Sequence, residues 1–323
     1  MRSGDWFADR FGLPRPATLE GPVDRGLQGQ VWRLTCSGRA YAVKEALVPI
    51  DPAQVGAAYA LQLRAEAAGV RAPRQLLTRD GEPAAYVDGE TLRVFDWVEL
   101  AAPDRELDPG ALGRSLAALH RAGGPAGAPV DPWFVDPVGR DHWRELLAEL
   151  TLAEAPFAGA LAAVTDELAA SEAIMQPPRD VIVCHRDLWA DNVRAVAPGD
   201  PGRTTPDPVV IDWDNCGPAS AAGELAMVLV EFGTSKARAR QLHDAYVDGG
   251  GPARLTGIGD FTMPIAVLHH LVELAARQWL AASGDLARGR AAERVTEFTD
   301  DTFFLADGHR LLDAVSGSAE PAG

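Results

Sequence analysis

Two short apolar runs, each ending in acidic or amide side chains, interrupt an otherwise helical stretch late in this sequence. The first, VIVCHRDLWADN, ends with Asp187 and Asn192, and the second, PVVIDWD, ends with Asp212 and Asp214. Short apolar runs bounded by turn-forming residues are typical of buried strands. If the two runs pair as a hairpin, their polar ends approach each other and several oxygen atoms converge at one place in the fold.

Carboxylate and amide oxygens gathered in this way indicate a magnesium site. Mg²⁺ prefers hard oxygen ligands and shares its coordination with water and phosphate groups, whereas the sequence has no His and Cys spacing of the kind that binds zinc. A carboxylate outside the ligand set could accept a proton from a hydroxyl group. Each of these residues alone is a common turn former, so the prediction depends on their occurring together.

The spacing of the polar residues is that of a kinase active site. His185, Asp187 and Asn192 follow the pattern H-x-D-x-x-x-x-N, and Asp212 stands later at the end of a strand-like run. Protein kinases place a catalytic aspartate, a metal-binding asparagine and a metal-binding aspartate in this order. The pattern therefore predicts phosphoryl transfer.

Two features upstream agree with this prediction. The strand-like run AYAVKEA contains Lys44, one of only two lysines in the chain, and kinases use a strand lysine to hold nucleotide phosphates. Before it, DRGLQGQVWRL contains Gly26 and Gly29, which would let backbone N–H groups approach phosphate oxygens. Taken alone, this glycine spacing is equally typical of a plain hairpin turn.

The chain changes character near residue 100. The first part predicts strands with one helix that begins at Asp51, and the part after Asp108 predicts mainly helices. We therefore expect an α+β fold with a small β-rich lobe over residues 1–98 and a larger helical lobe over residues 99–315. Residues 316–323 are expected to be a disordered tail, and APGDPGRTTPDP a mobile surface loop.

The composition limits the classes of partner. The chain carries 46 acidic and 30 basic residues and a formal net charge of -16, which argues against binding to a nucleic-acid backbone. The charge is compatible with a cationic substrate, and the alternative is that it mainly serves solubility. No apolar run reaches the ~18–20 residues of a membrane helix, and the N-terminus lacks a signal-peptide core. The three cysteines show no paired spacing, which favours a reducing, cytoplasmic setting.

The order of these parts resembles the aminoglycoside phosphotransferase and choline kinase-like family, the small-molecule relatives of protein kinases. The glycine hairpin, the lysine strand, the helix LGRSLAALHRAG, the loop HRDLWADN and the strand VVIDWD carry the resemblance, which spans roughly residues 20–235. It implies a protein-kinase-like bilobal fold. It also implies transfer of the γ-phosphate of ATP, with GTP as an alternative donor, to a hydroxyl group of a small molecule.

The resemblance implies a role for each residue that matches the catalytic pattern. Asp187 would be the catalytic base, which orients or deprotonates the acceptor hydroxyl. Mg²⁺ would be held by Asn192, Asp212 and Asp214. His185 would brace the loop by hydrogen bonds instead of moving protons.

The resemblance also implies which residues hold the nucleotide. Lys44 would bind the α- and β-phosphates, and Gly26 and Gly29 would border the phosphate-binding turn. The strand LRVFDWVEL falls where the hinge between the two lobes would lie. Backbone groups from Asp96 to Val98 would therefore bind the edge of the adenine ring.

Lys44 departs from the family pattern because no glutamate stands in the middle of the following helix. Protein kinases pair the strand lysine with a helix glutamate. Here the candidates are Glu66, late in the helix, and Gln54, near its start. A third possibility is that the pair is absent.

Other departures separate the chain from protein kinases. Trp189 occupies the loop position where protein kinases have a lysine, and the metal strand reads DWD instead of DFG. Glu224 stands where many relatives have an aspartate that braces the catalytic loop. Only ten residues separate Asp214 from Leu225 of the next helix, which leaves no room for an activation loop and favours a small-molecule acceptor.

We expect the substrate to be an aminoglycoside-like or other basic antibiotic. A metabolite kinase acting on an amino alcohol, homoserine or a sugar fits the same catalytic residues. A nucleotide-binding regulatory protein without catalysis is a further alternative, supported by the missing helix glutamate. Resemblance to a family is not evidence of antibiotic resistance, and nothing in the sequence requires more than a monomer.

Overall fold

Helices and strands occur throughout the chain. The computed structural model describes residues 2–26, 29–197, 207–300 and 302–316. These residues form ten α-helices and ten β-strands, joined by loops and short 3-10 turns. The predicted β-rich beginning and mainly helical remainder of an α+β protein are confirmed.

The chain packs as two compact units. The first comprises Met1–Asp104 and Asp187–Cys216, and the second comprises Arg105–Arg186 and Gly217–Gly323. Sequence order alone does not suggest that Asp187–Cys216 joins the first unit. The lobes expected over residues 1–98 and 99–315 stay a prediction.

The first unit is built on an antiparallel sheet. Its elements up to residue 104 are α1 (Gly4–Phe11), β1 (Ala17–Arg25), β2 (Gly29–Cys36), β3 (Arg39–Ala46), α2 (Pro52–Ala67), β4 (Gln75–Leu76), β5 (Ala85–Val87) and β6 (Glu90–Asp96). The strands lie in the order β1-β2-β3-β6-β4, and β5 pairs with β6. The strand that carries the predicted lysine is therefore central, with a neighbour on each side.

Alternation along β3 separates the two faces of this sheet. Tyr41 and Val43 are buried and pack in one core with Phe7 and Phe11 of α1. Successive side chains of a strand point to opposite faces, so Lys44 lies on the face away from this core. One face of the sheet stabilises the unit, and the other is left for polar side chains.

A hairpin turn and a helix cap in the first unit are formed by residue types that favour them. Ser37 and Gly38, between β2 and β3, have φ angles of 47° and 77°, the left-handed conformation that tight hairpin turns require. The Asp51 side chain caps α2 by accepting a hydrogen bond of 2.9 Å from the N–H of Ala53. Pro52 fills the first turn of α2, where no backbone donor is needed.

The two apolar runs late in the chain do not pair with each other, so this part of the sequence prediction is wrong. The first forms β7 (Val181–Cys184), which pairs with β10 (Gly217–Ser220). The second forms β9 (Val209–Val210), which pairs with β8 (Val193–Arg194). A strand of two residues is too short to show alternation, so nothing marks β8 in the sequence.

The second unit is mainly helical. Its helices are α3 (Pro109–Gly123), α4 (Arg140–Leu152), α5 (Ala158–Glu172), α6 (Ala221–Phe232), α7 (Lys236–Asp248), α8 (Thr262–Ala281), α9 (Asp285–Asp300) and α10 (Leu305–Ser316). Apolar side chains of α4, α5, α8 and α9 form a core that includes Trp143, Leu161, Val272 and Val295. From Asp214 the chain reaches α6 through residues 215–220, which is the short connection that the sequence predicts.

The sequence also gives expectations for the cysteines, for membrane helices, for the C-terminal tail and for one surface loop. All three cysteines are buried and free of disulfides. None of the helices in the described part of the chain combines the length and the apolar character needed to cross a bilayer. Ser316 ends α10, and the rest of the expected tail, 317–323, lies outside the described residues, as does 198–206 of the expected mobile loop.

Candidate active site

Two neighbouring strands place a pair of cations on one face of the sheet. Lys44 of β3 is the direct antiparallel partner of Arg93 of β6, so both side chains lie on the face away from the α1 core. The side chain of Lys44 is 17% exposed and that of Arg93 is 4% exposed. A charge buried to this degree requires an anionic partner.

The partners of both cations come from the segment that follows β9. Lys44 Nζ makes an ion pair with Asp212 Oδ1 and lies 2.9 Å from Asp214 Oδ2. Arg93 binds both oxygens of Asp214, with Nη1 on Oδ1 and Nη2 at 2.6 Å from Oδ2. Two carboxylates and two cations therefore form one charge cluster within the first unit.

The backbone at Asp212 takes a conformation that few residue types adopt readily. Asp212 has a φ of 59° and a ψ of 67°, and a 3-10 turn over Trp213–Asn215 follows it. Asp and Asn are the residues other than glycine that most often enter this left-handed region. The chain therefore turns away from the direction of β9 at Asp212, and both Asp212 and Asp214 reach the cations.

The β8–β9 hairpin brings the loop residues to the same place. Val193 pairs with Val210, and the N–H of Ile211 donates to the carbonyl of Asn192 at 2.9 Å. The amide nitrogen of Asn192 donates to the carbonyl of Asp187 at 3.0 Å. The convergence that the sequence predicts is therefore present, although a different pair of strands produces it.

An amide group holds the carboxylate of Asp187, and no cation in the described ranges makes a hydrogen bond to it. Asn215 Nδ2 donates to Asp187 Oδ2 at 3.0 Å. Burial, and after it the negative charge of Asp212, raises the pKa of Asp187 to about 7. A carboxylate with this pKa can gain and lose a proton near neutral pH.

The carboxylate of Asp214 has the opposite environment. Burial alone would raise the pKa of Asp214, but the hydrogen bonds and charges of Arg93 and Lys44 outweigh it. The pKa of Asp214 therefore lies well below its ordinary value, and the group stays ionised. The charge of Asp214 also offsets the cost of burying Arg93, whose pKa is raised although burial acts to lower it.

Oxygen ligands for a metal ion are present at Asn192 and Asp212. The amide oxygen of Asn192 accepts no hydrogen bond from the described part of the chain, and the Asp212 side chain is 37% exposed, with Lys44 on Oδ1 alone. Both are hard donors of the kind that Mg²⁺ prefers, so these residues fit the expected metal. Asp214 differs because both of its oxygens already have cationic partners.

The two glycines of the predicted phosphate turn border the β1–β2 connection. The N–H of Gly26 donates to the carbonyl of Gly29 at 2.9 Å, and Leu27 and Gln28 lie outside the described residues. A Cβ atom added to Gly29 would lie 3.3 Å from Lys44 Cε, so glycine leaves space for the lysine side chain. Phosphate binding by Gly26 and Gly29 stays a prediction.

Asp96 and Val98, predicted to bind adenine, lie at and just beyond the end of β6. The N–H of Asp96 donates to the carbonyl of Arg74 at 2.9 Å, and the Asp96 carboxylate makes ion pairs with Arg39 and Arg74. Val98 follows β6, and its backbone makes no hydrogen bond within the described ranges. The N–H of Asp96 is thus already engaged within the chain, and adenine binding by Asp96 and Val98 stays a prediction.

A buried network in the second unit holds the backbone just before the loop from Asp187 to Asn192. The Glu224 carboxylate accepts a hydrogen bond from the N–H of Arg186, which has a strained φ of 67°. Glu224 also lies 2.8 Å from His120 Nε2, and His120 Nδ1 lies 2.8 Å from the hydroxyl of Tyr246. Burial acts to raise the pKa of Glu224, but the bond to His120 outweighs it and the pKa is lowered.

Sequence reasoning missed two residues of the site, Arg93 and Asn215. Arg93 is a single charged residue inside the apolar strand run TLRVF, which was a readable signal because a charge in a buried strand needs a partner. Asn215 follows the DWD motif directly, but nothing in its spacing indicates a contact with Asp187.

The two candidate partners of Lys44 in α2 bind elsewhere. Glu66 accepts a hydrogen bond from Gln62 at 2.7 Å, and Gln54 donates to the backbone carbonyl of Asp214 at 2.8 Å. The carboxylates that Lys44 contacts are those of Asp212 and Asp214. Among the described residues, no side chain of α2 therefore pairs with Lys44 as the helix glutamate of protein kinases does.

Comparison with known proteins identifies relatives of this arrangement. A model of the phosphotransferase enzyme family, APH, matches residues 21–258. Curated protein sequences return no significant match. Spectinomycin phosphotransferase APH(9)-Ia, solved with ADP and spectinomycin, superposes with a TM-score of 0.68 at 12% identity, covering 95% of this chain and 97% of that chain.

Two further solved structures have the same fold. An aminoglycoside phosphotransferase from Alicyclobacillus acidocaldarius superposes with a TM-score of 0.62 at 18% identity, covering 96% of both chains. A microcompartment-associated aminopropanol kinase superposes with a TM-score of 0.60 at 18% identity, covering 96% of this chain and 97% of that chain. The expected protein-kinase-like fold is confirmed.

Proposed function

Since the chain belongs to the phosphotransferase enzyme family, we propose that it transfers the γ-phosphate of ATP to a hydroxyl group of a small molecule. The observation that carries this proposal is the gathering of Lys44, Asp187, Asn192 and Asp212 in one cluster. These residues are far apart in sequence, and their order along the chain is that of the kinase catalytic residues.

Asp187 acts as the base in the proposed reaction. Its carboxylate accepts the proton of the acceptor hydroxyl as that oxygen forms a bond to the γ-phosphorus. The bond between the γ-phosphorus and the bridging oxygen breaks, and its electron pair leaves with ADP. A pKa of about 7 suits this role because the group is partly ionised at neutral pH and still basic enough to take a proton.

The charged residues around Asp187 bind and orient the nucleotide in this proposal. Lys44 binds the phosphates, and Asn192 and Asp212 hold Mg²⁺. When bound, Mg²⁺ neutralises charge on the phosphate oxygens. The hydrogen bond from Asn215 to Asp187 fixes the direction of the carboxylate. Positioning and charge neutralisation supply most of the rate enhancement in such sites.

The acceptor is proposed to be a small molecule that carries amino groups. The net charge of -16 attracts cations, and relatives of the fold include a spectinomycin phosphotransferase and an aminopropanol kinase. A basic antibiotic is the first candidate. An amino alcohol is the second candidate, favoured by the aminopropanol kinase.

The proposal is tested with a panel of hydroxyl compounds in the presence of MgATP and MgGTP. The panel contains aminoglycosides, cyclic peptide antibiotics, amino alcohols, homoserine and neutral sugars. Release of ADP or GDP is followed, and each product is checked by mass spectrometry for one added phosphate. We expect transfer to at least one amine-bearing compound, with ATP as donor.

A pair of loop variants ties the activity to the proposed base. Asp187→Asn is expected to lower the transfer rate by about 10³-fold, because the proton acceptor is lost, and to leave MgADP affinity within about twofold. Asp191→Asn, an exposed position in the same loop, is the control and is expected to retain full activity. Unchanged turnover by Asp187→Asn would contradict the proposal, and nucleotide binding without transfer to any compound would favour a regulatory protein.

A further inference from the structure

Arg93 is a buried charge that the proposed reaction does not use directly. The residue is 3% exposed and stands in a strand between the buried Leu92 and Val94, which belong to the α1 core. Its Nε has no hydrogen-bond partner within the described part of the chain. A guanidinium in such a place is destabilising unless a specific anion compensates for it.

Asp214 is that anion, and the geometry of the pair is bidentate. Two guanidinium nitrogens of Arg93 bind the two oxygens of Asp214. A two-point contact of this kind fixes the plane and the direction of the carboxylate. Gln54 of α2 adds a third restraint by donating to the backbone carbonyl of Asp214 at 2.8 Å.

Lys44 contacts the same fixed carboxylate. Its Nζ lies 2.9 Å from Asp214 Oδ2 and also pairs with Asp212 Oδ1. Arg93 and Lys44 share their register across β3 and β6, so both approach Asp214 from the same face of one sheet. Asp214 therefore lies between the two cations and contacts both of them.

The helix that normally orients such a lysine cannot do so here. Glu66 is the only acidic residue within α2, and it accepts a hydrogen bond from Gln62. No other carboxylate than Asp212 and Asp214 pairs with Lys44 in the described residues. The side chain of Asp212 is 37% exposed, and that of Asp214 is 12% exposed. Asp212 can therefore reorient toward a metal ion while Asp214 stays in place.

We propose that Arg93 and Asp214 form a positioning pair that orients Lys44 toward the nucleotide phosphates, in place of a helix glutamate. This inference rests on the proposed function. It makes Asp214 a positioning residue, not a metal ligand, and leaves the metal to Asn192 and Asp212. Because Arg93 neutralises Asp214, the charge of Lys44 remains available to the phosphates.

The first test is a double-mutant cycle between Arg93 and Lys44, with MgADP affinity measured by calorimetry. Arg93→Gln is expected to weaken binding about tenfold, and Lys44→Met by a similar factor. In the Lys44→Met background, Arg93→Gln should weaken binding less than about twofold further, because residues that act through one another are not additive. Independent, multiplying effects would overturn the inference.

The second test separates positioning from metal binding. Binding of Mn²⁺ in the presence of saturating ADP is followed by electron paramagnetic resonance. Asp212→Asn and Asn192→Ala are expected to weaken Mn²⁺ binding at least about tenfold, and Asp214→Asn to leave it within about twofold while weakening ADP binding. Loss of Mn²⁺ binding in Asp214→Asn equal to that in Asp212→Asn would assign Asp214 to the metal instead.

A third variant keeps the inference testable if removal of one charge unfolds the protein. The double variant Arg93→Met with Asp214→Leu removes both charges together, and such apolar replacements of buried ion pairs are often neutral for stability. We expect a folded protein that binds MgADP about tenfold more weakly than wild type. Wild-type MgADP affinity in this folded double variant would overturn the inference.

The outcomes for this pair differ from those for the reaction itself. Wild-type protein that binds no nucleotide and phosphorylates no compound contradicts the proposed function. Wild-type protein that binds MgADP and transfers phosphate, with independent effects of Arg93→Gln and Lys44→Met, contradicts only the positioning pair. Arg93→Lys, which keeps the charge but loses the second contact, should restore part of the affinity lost in Arg93→Gln.

Discussion

The three aspartates of the candidate site have three different electrostatic environments. Asp187 is held by the Asn215 amide and has a pKa raised to about 7, chiefly by burial. Asp214 lies between two cations and stays ionised, while Asp212 shares Lys44 and keeps more exposure to solvent. The residue type is the same in each case, so the differences in hydrogen bonding and charge come from the neighbouring side chains.

Glu172 shows the same dependence on neighbours away from the site. This buried carboxylate of α5 lies 2.9 Å from His269 Nδ1 and accepts hydrogen bonds from the Trp143 indole and the N–H of Gly139, both at 2.8 Å. Burial acts to raise the pKa of Glu172, but these hydrogen bonds outweigh it and the pKa is lowered. A lowered folded-state pKa means that the unfolded chain binds the proton more readily.

We therefore predict a pH-dependent cost for Glu172→Gln. The stability that Glu172 contributes is present above its unfolded pKa of about 4.5 and is lost as the pH falls through the folded value. Glu172→Gln should lower the free energy of unfolding by about 2–4 kcal/mol near pH 7, because buried partners lose a charged acceptor. The difference from wild type should shrink near pH 4, as measured by urea unfolding at both pH values.

The control for this prediction is Glu167→Gln, an exposed position in the same helix. It should change the free energy of unfolding by less than about 0.5 kcal/mol at either pH. A cost for Glu172→Gln that stays constant from pH 7 to below pH 4 would show that its ionisation is not what stabilises the fold.

At the scale of elements, the short β8–β9 hairpin produces the site. It joins Asn192, just before β8, to Asp212, just after β9. The sequence predicted the convergence of these residues but assigned it to β7 and β9. The wrong assignment has a physical cause. A two-residue strand shows no alternation of apolar and polar residues, and its pairing is decided by contacts distant in sequence.

Other parts of the fold were predictable because local signals are strong there. The Asp51 cap and the turn at Ser37 and Gly38 each follow from a residue type that favours one backbone conformation. The pairing of Arg93 with Asp214 was not predictable, since it depends on the register of β3 against β6 and on the bend at Asp212. Local residue preferences therefore determine where helices and turns form, whereas strand register and tertiary packing determine which side chains pair.

The packing of α3 against α7 gives a prediction for an element. A Cβ atom on Gly113 of α3 would lie 2.2 Å from the carbonyl oxygen of Leu242 and 2.8 Å from the backbone nitrogen of Tyr246. Gly113→Ala should therefore separate the two helices and lower the free energy of unfolding by about 1–3 kcal/mol. Thermal and urea unfolding of the variant measure this loss.

Gly159→Ala is the matched control in the same unit. Gly159 lies in α5 with nothing within 4 Å of an added Cβ atom, and alanine favours helices over glycine by about 0.5–1 kcal/mol. This variant should be as stable as wild type or slightly more so. Equal effects of the two substitutions would mean that helix propensity, not the close approach of α3 and α7, governs Gly113.

At the scale of the whole molecule, the connection from Asp214 to the next helix is short. A 3-10 turn over Trp213–Asn215 and the strand β10 are the elements between β9 and α6. The cluster of Lys44, Asp212 and Asp214 is assembled without modification of the chain. Within the described part of the chain, the connection between Asp214 and α6 therefore has no room for an activation loop of the protein-kinase type.

The net charge of -16 supplies the remaining prediction, which concerns the acceptor. A strongly acidic molecule attracts cations over a distance of about 10 Å at moderate ionic strength, and salt weakens this attraction. Among compounds that the protein phosphorylates, those carrying ammonium groups should have the lower KM values. Raising KCl from about 50 to 500 mM should increase these KM values about three- to tenfold at saturating MgATP.

Neutral acceptors provide the comparison, because a neutral polyol gains nothing from the long-range field. Its KM should change by less than about twofold over the same range of salt. Saturating MgATP, confirmed at each salt concentration, keeps the nucleotide step out of the measurement. Two results would contradict this prediction: a neutral sugar with the lowest KM, or equal changes of KM with salt for charged and neutral acceptors. Either result would show that the acidic residues serve solubility, and it would favour a sugar kinase over an enzyme that acts on amines.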